Sequence, residues 1–454
     1  MQPATIFIWI EGNMKFCIEN FGCQMNEHDM EKMACLLSSK GMDRTLDVNS
    51  ADVVIVNTCC IREKAEQKFY SLMGRLKKIK RRKGLVLGVT GCIAQQEKDA
   101  IGEKLPFIDF SLGPSSIHRV AEAVDHASRK DRFFDFSDNG CTASLLVEPG
   151  NANKKFKTYV TIMKGCNNFC SYCIVPYVRG REVSRESSDI MREIENLSTL
   201  GIKEVTLLGQ NVNSYNKGGD DISFPELLKG INAINGIERI RFVTSHPRDL
   251  SNELIECFGS LNKLCESIHL PFQSGSDRVL KLMNRGYTTE EYRKKVSLLR
   301  QRCADIAITA DCIVGFPGES EDDFELTMGL VNDVRFDGLF SFAYSPRKFT
   351  AAANLPDEVT REMAFERLTR LQKYQKSITL ECNKAMEGKV TEVLVEDRSK
   401  HSREEMTGRT RTNKIVNFQG SSDMIGSLVE VEIVKGYANS LKGEVRKPTG
   451  GRTC

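Results

Sequence analysis

The stretch KGCNNFCSYC places Cys166, Cys170 and Cys173 at a C-x3-C-x2-C spacing. Thiolates this close together suit a metal centre; the alternative, three unrelated cysteines on one loop, requires an uncommon coincidence. Zinc sites usually draw on two C-x2-C pairs, and no second pair follows at a suitable distance, so zinc is the weaker reading. An iron–sulfur cube ordinarily takes four thiolates, and three leave one iron open to a ligand from outside the protein.

A second set is spread along the amino-terminal region: Cys23 in FGCQMN, Cys59 in NTCCIRE and Cys92 in TGCIAQ. Each directly follows a candidate strand and precedes a candidate helix. In a parallel sheet all strand ends of one kind share an edge, so these three thiols can converge although they are far apart in sequence. Helix amino termini beside them favour the thiolate. Cys60 adjoins Cys59; Cys59 holds the first turn position, as Cys23 and Cys92 do, and Cys60 is read as a packing residue. Buried free cysteines are the competing reading of the set. Cys17, Cys35, Cys141, Cys257, Cys265, Cys303, Cys312, Cys382 and Cys454 share no such pattern and read as structural.

The elements that must position these residues fall into three segments. From 14 to about 125, strand then helix repeats: MKFCIEN before NEHDMEKMACLLSSKG, ADVVIVN before REKAEQKFYSLMGRLKKIK, GLVLGVT before AQQEKDAIGEKL. This predicts a parallel, Rossmann-like α/β domain over 14–147, with 1–13 as an extension. A polar linker, 148–157, leads to a second strand–helix series whose candidate strands are YVTIM, EVTLLGQ, RIRFVTS, SIHLPF, ITADCIVGF and LFSFAYS. Six such units predict a full or partial (βα)6 barrel over 158–383, with the Cys166 loop at its carboxyl rim, where α/β enzymes keep their active sites. Residues 384–447 lose the helical pattern and show VTEVLVED, KIVNF and LVEVEIVKGY, suited to a small β-barrel, with 448–454 as a tail.

Composition sets outer bounds. The chain has 454 residues, 40% of them hydrophobic and 28% charged, and no apolar run long enough to span a bilayer, so no membrane role is expected. Sixteen cysteines diluted over a chain without an export signal point to a reducing, cytoplasmic location and to metal ligation. A net charge of +3 excludes little; the local clusters matter more.

The triplet with Tyr172 before its third cysteine resembles the signature of radical S-adenosylmethionine (SAM) enzymes, in which the open iron is chelated by SAM and one electron from the cluster releases a 5'-deoxyadenosyl radical. On that resemblance the turns after successive strands become SAM-binding candidates: Gly209, Gln210 and Asn211; Ser245; Gln273 and Ser274; Gly315 and Glu319, with Asp311 on the strand before them and Tyr172 in the motif itself. Turns collect glycine and serine for their own reasons, so each alone is weak. Paired with the Cys23, Cys59, Cys92 turns, the whole resembles the methylthiotransferase family, which implies two [4Fe–4S] clusters, one for radical generation and one for sulfur.

Among the branches of that family, NTCCIREKAEQ is similar to the one acting on isopentenyl (dimethylallyl) adenosine next to the tRNA anticodon; threonylcarbamoyladenosine or a ribosomal-protein aspartate are the alternative substrates. The reading implies an electron donor such as flavodoxin or ferredoxin, and an iron–sulfur carrier protein. A different class, a non-catalytic iron–sulfur or zinc RNA-binding protein, requires closed four-ligand sites. The basic helix end with Arg75, Lys77, Lys78, Lys80 and Arg81 is a candidate RNA-phosphate contact, although cations also favour a helix carboxyl terminus without any ligand. The last segment resembles a TRAM domain through TGRTRTNKIVNF, and Arg398, Lys400, Arg403, Arg409, Arg411 and Lys414 are expected to face RNA, with Phe418 in its core. One departure stands out. Where the family carries an Arg-Pro-Gly-Thr turn, this chain has Arg347, Lys348, Phe349 and Thr350, which puts phenylalanine at a glycine position.

Overall fold

A computed structural model of the chain describes residues 14–60, 63–137, 156–356, 359–400, 402 and 404–446, with the side chains of 63–65 excepted. The 1–13 extension, Arg62, Cys141, residues 148–155 of the linker, Arg403 and the 448–454 tail lie outside the described residues.

The run VVIVNT forms strand β3 (Val53–Thr58), buried on both faces at every position. An unbroken apolar run of this kind suits the middle of a parallel sheet. Around it lie β1 (Lys15–Asn20), β2 (Asp43–Arg44), β4 (Val86–Gly91), β5 (Phe110–Leu112) and β6 (Phe133–Asp135), in the order β2-β1-β3-β4-β5-β6, all parallel. Helices α1 (Gln24–Ser38), α2 (Glu63–Lys83) and α3 (Cys92–Glu97) follow β1, β3 and β4. The segment read as one helix over AQQEKDAIGEKL divides instead into α3 and a short helix at Ala100–Lys104, with Lys98 in the left-handed region between them.

Six further parallel strands make the second domain: β7 (Lys157–Thr161), β8 (Glu204–Leu208), β9 (Arg239–Phe242), β10 (Ser267–His269), β11 (Ala307–Val314) and β12 (Gly338–Ala343). They pair as β9-β8-β7 and β10-β11-β12, and a bridge between Ile240 and Leu264 joins the two triplets into a partial barrel open between β7 and β12. Along β11 alternate residues Ile308, Ala310, Cys312 and Val314 are buried in the core, leaving Thr309, Asp311 and Ile313 on the inner face. The amino-terminal domain bridges the open seam. It touches β7 through Glu27, whose carboxylate accepts from the Tyr159 hydroxyl at 3.4 Å, and it touches the loop after β12 through Glu97, 2.8 Å from Lys348 Nζ.

The last domain is a closed barrel of β13 (Val390–Arg398), β14 (Glu405–Thr410), β15 (Ile415–Gln419), β16 (Leu428–Gly436) and β17 (Leu441–Val445), ordered β13-β14-β15-β17-β16. Phe418 is fully buried in its core, as expected. Strands β14 (EMTGRT) and β17 (LKGEV) escaped the sequence reading because polar residues and a glycine interrupt each.

The hairpin between β14 and β15 corrects one set of expectations. Arg411 grips the Glu266 carboxylate with Nε at 2.8 Å and NH2 at 2.8 Å, and NH2 also donates to the Leu264 carbonyl. Lys414 Nζ lies 2.6 Å from Asp337. In the other direction the wholly buried Arg239 donates to the Glu392 carboxylate and to the Arg409 carbonyl, and Arg241 donates to the carbonyls of Thr410 and Arg411. Glu266 and Asp337 immediately precede β10 and β12, and Arg239 opens β9, so the hairpin lies across the amino-terminal rim of the barrel, opposite the Cys166 loop. Arg411 and Lys414 are therefore engaged in holding the two domains together, each paired with a carboxylate of the barrel. Arg409 is half-buried and 3.4 Å from Glu396, while Arg398 and Lys400 are exposed.

Candidate active site

The loop carrying Cys166, Cys170 and Cys173 begins at the carboxyl end of β7 and ends in a single helical turn, Val175–Val178. Gly165 opens it at φ +75°, and a Cβ there would come within 2.0 Å of the Arg181 carbonyl oxygen, so the close approach requires glycine. Its N–H donates to Gln210 Oε1 at 2.6 Å. The Cys173 N–H donates to the Cys170 carbonyl and the Ser171 N–H to Met283. Gln210 thus acts on the loop that carries the thiols. Cys166 and Cys170 are buried and Cys173 half-buried, and burial together with the neighbouring Cys170 pushes the Cys173 thiol up to about 12.

A buried cation, Arg285, faces this triplet. Arg285 NH1 lies 3.3 Å from Cys170 Sγ and 3.4 Å from the Tyr172 hydroxyl, while NH2 donates to the Pro271 carbonyl. On the turns after β8, β9 and β10, four buried polar atoms have no partner: Asn211 Oδ1, Ser245 Oγ, His246 Nε2 and Gln273 Oε1. Unpaired buried polar atoms are uncommon, and four on one rim leave it able to hold a water or a ligand. Gln273 is also held at φ +67°, and Ser274 and Asp311 are tied into the same rim by the Ser276 N–H and the Gln273 N–H respectively. Glu319 pairs with Arg367 at 3.1 Å. Gly209 is pressed against Met163 and Gly315 against Ala364, so both serve close packing.

The turns that carry the second set come together, with Cys23 beside Cys59 and Cys92 beside Cys60, although among the described residues no three His, Cys, Asp or Glu side chains are placed to hold a metal ion. Register aligns Asn20 with Asn57, Asn57 with Thr90 and Thr58 with Gly91, which brings the turns after β1, β3 and β4 together. Side chains lace them: Asn57 Nδ2 donates to Asn20 Oδ1 and to the Asn26 carbonyl, Asn26 Nδ2 to the Thr58 carbonyl at 2.7 Å, and Thr58 Oγ1 to the Thr90 carbonyl at 2.6 Å. Within this frame a hydrogen bond with Cys59 lowers the Cys23 thiol to about 6, with Arg179 adding to the pull. Cys92 is lowered to about 7 by a hydrogen bond from Cys60 and by Arg179. The same hydrogen bond and burial push the Cys60 thiol up, and it packs in the apolar core with Cys92.

Arg179 comes from the barrel domain, six positions beyond Cys173, and is buried against Asp29 at 3.0 Å. Six residues span no more than about 20 Å even fully extended, so the two cysteine triplets lie close to each other across this segment. Neither Arg179 nor Arg285 was singled out from sequence. The one feature they share in the sequence is a following glycine, Gly180 and Gly286, which is too common to have marked them.

On the inner face of the barrel, His269 lies 3.0 Å from Thr309 Oγ1 and 3.4 Å from Asp311, with its ring edge-on to Phe340. Phe340 and Phe342 alternate on this face of β12 and are exposed, an unusual place for two large apolar rings. The α2 cluster is divided: Arg75, Lys78 and Arg81 are exposed, but Lys80 is paired with Asp109 and Lys77 lies over the Phe107 ring.

Three family models match the chain: uncharacterized protein family UPF0004 over residues 15–113, the radical SAM superfamily over 160–331 and the TRAM domain over 384–445. A tRNA-2-methylthio-N(6)-dimethylallyladenosine synthase of Syntrophus aciditrophicus is 53% identical across 94% of both chains. One of the same name from Geobacter metallireducens is 50% identical over 96% of this chain and 99% of its own. The chain belongs to the tRNA-2-methylthio-N(6)-dimethylallyladenosine synthase family. Among solved structures, the radical SAM methyltransferase TsrM of Kitasatospora setae superposes with a TM-score of 0.55 at 13% identity, over 75% of each chain, a likeness of fold alone.

As a radical SAM member of this synthase family, the protein takes SAM and [4Fe–4S] clusters as cofactors. The residues present fit them. Each triplet offers three thiols and a buried arginine to offset thiolate charge, and the barrel rim supplies unpaired polar atoms able to hydrogen-bond an amino acid or a ribose.

Proposed function

We propose that this enzyme installs a methylthio group at C2 of the N6-dimethylallyl adenosine beside the tRNA anticodon. The observation that carries the reading is the pair of three-thiol sets, one on each domain, tied by the short segment from Cys173 to Arg179. Cys166, Cys170 and Cys173 would hold one cluster and leave an iron for SAM; Cys23, Cys59 and Cys92 would hold the other, associated with sulfur. Bound SAM supplies a methyl group for sulfur and, on one-electron reduction, the radical that removes hydrogen from carbon.

The chain's own residues orient and enclose these groups. Asn211, Ser245, His246 and Gln273 offer hydrogen bonds to SAM, and Gln210 fixes the cysteine loop. Arg285 and Arg179 keep positive charge beside the two thiol sets. Phe340 and Phe342 give the dimethylallyl adenine an apolar wall on the inner face of the barrel, and His269 and Asp311 give its edge hydrogen-bonding partners. A base enters such a site only when flipped from its loop. Arg75, Lys78, Arg81, Arg398 and Lys400 remain for the tRNA backbone. A flavodoxin or ferredoxin as electron donor and an iron–sulfur carrier protein complete the scheme. Among the described residues no helix is long and apolar enough to cross a membrane.

Anaerobic reconstitution with iron and sulfide, followed by dithionite, SAM and a dimethylallylated anticodon stem-loop, tests this. Expected are about eight irons per chain, 5'-deoxyadenosine, and a methylthio mass gain on the adenosine. Alanine at Cys166, Cys170 and Cys173 abolishes SAM cleavage; alanine at Cys23, Cys59 and Cys92 preserves cleavage and stops thiolation. Thiolation by the second variant overturns the assignment.

A further inference from the structure

The turn after β12 keeps a glycine conformation without a glycine. Thr350 N–H donates to the Arg347 carbonyl at 3.3 Å, closing a four-residue turn whose third residue, Phe349, has φ +68°. A type II turn demands such a φ at this place and normally fills it with glycine; a phenylalanine there is strained. The turn is held from both sides, by Lys348 on Glu97 at 2.8 Å and by Arg347 near Glu66 at 3.6 Å. The Phe349 ring does not repay the strain by burial: it is 62% exposed, the most exposed aromatic ring among the described residues. Its neighbour is Tyr177, 46% exposed and four positions beyond Cys173, with ring centroids 6.4 Å apart and planes 34° apart. At this separation and tilt the two rings do not stack on one another, and both stay largely in solvent. Folding gains little from them where they stand.

We propose that Tyr177 and Phe349 form a stacking platform for an unpaired RNA base flanking the modified adenosine. This rests on the reading that the substrate is a tRNA loop. Both rings sit on the carboxyl rim, where the flipped base must enter, and single-stranded bases bind exposed rings whatever their sequence. The same rim carries a third exposed ring, Phe169 within the cysteine triplet, with the exposed Arg181 guanidinium 5.3 Å over its face. Rings with an arginine beside them, at the entry to the site, provide what a single-stranded base stacks on.

The test compares reconstituted wild type with Phe349→Gly, Phe349→Tyr, Tyr177→Leu and Tyr177→Phe for binding of a dimethylallylated anticodon stem-loop by fluorescence anisotropy, alongside KM, kcat and thermal midpoint. Phe349→Gly and Tyr177→Leu are expected to weaken RNA binding roughly 5- to 100-fold, raising KM more than they lower kcat, while Phe349→Tyr and Tyr177→Phe bind as wild type does. The thermal midpoint of Phe349→Gly does not fall, because glycine accepts the φ and little buried area is lost. Unchanged RNA affinity in Phe349→Gly overturns the platform. So does a loss of affinity that only parallels a loss of thermal midpoint, or slower cluster reduction by flavodoxin at unchanged RNA affinity, which assigns the rings to a protein contact. A wild-type enzyme that forms 5'-deoxyadenosine but never thiolates the stem-loop overturns the substrate reading instead, whatever the variants do.

Discussion

Replacing Arg411 by alanine separates a domain-locking role from an RNA-binding one. Its guanidinium makes a forked contact with Glu266 and a further hydrogen bond to the Leu264 carbonyl, with the two side chains 22% and 28% exposed. A charge-assisted hydrogen bond contributes about 1.5–3 kcal/mol, and breaking a well-buried pair costs about 3–5 kcal/mol. Partial exposure places this one at the low end, about 2–3 kcal/mol, because water screens both partners and rehydrates Glu266. With an m-value of about 3 kcal/mol/M, the urea midpoint of Arg411→Ala should fall by roughly 0.7–1 M. Arg398→Ala is the control: exposed, with one hydrogen bond to Ser422 Oγ at 3.2 Å, it should move the midpoint by less than about 0.5 kcal/mol equivalent. Binding of the stem-loop reverses the order. Arg398→Ala weakens it and lowers the salt slope by about 1, while Arg411→Ala leaves affinity unchanged where the protein is folded. An Arg411→Ala protein with a wild-type midpoint and poor RNA binding refutes the docking argument.

Arg179→Met leaves Asp29 buried without its partner and removes the cation beside Cys23 and Cys92; iron should fall from about eight toward about four per chain, and the residual amino-terminal cluster should reduce at a lower potential by spectroscopic titration. Wild-type iron and potential would show that Arg179 only packs. Cys60→Ala should retain both clusters and Cys59→Ala lose one, measured by iron content; the opposite result exchanges the ligand assignment. Burial pushes the Glu319 carboxyl up to about 7 from 4.5, against the pull of Arg367 and the Phe316 N–H. A raised carboxyl favours the folded state below about pH 4.5 and loses that contribution as pH rises through about 7, so metal-free wild type should lose more urea stability between those values than Glu319→Gln. Parallel pH profiles for the two proteins argue against the raised value.

The periodic segments were legible because burial imposes a pattern: VVIVN and ITADCIV are apolar enough, over a strand's length, to require helices on their faces. Cys23, Cys59 and Cys92 could be proposed as a set because each follows the same turn in a repeated unit. What sequence concealed was direction. Arg411 and Lys414 belong to a basic stretch that looks like an RNA surface, and only the position of the hairpin shows Glu266 and Asp337 waiting opposite. Arg179 was invisible for a related reason, since its partners Asp29 and Cys92 belong to a different domain. The strain at Phe349 was anticipated from its mismatch with a glycine turn, and the backbone adopts that turn regardless.

The origin of Arg179 in the second domain has a consequence for biogenesis. During synthesis from the amino terminus, Cys23, Cys59 and Cys92 emerge first, and the cation that completes their surroundings follows roughly 90 residues later, a delay of roughly 5–20 s at ordinary elongation rates. Through that interval the amino-terminal thiols lack the cation that helps to lower Cys23 and Cys92. On the proposed assignment, the surroundings of the amino-terminal site are therefore complete only once the segment carrying Arg179 has folded against them.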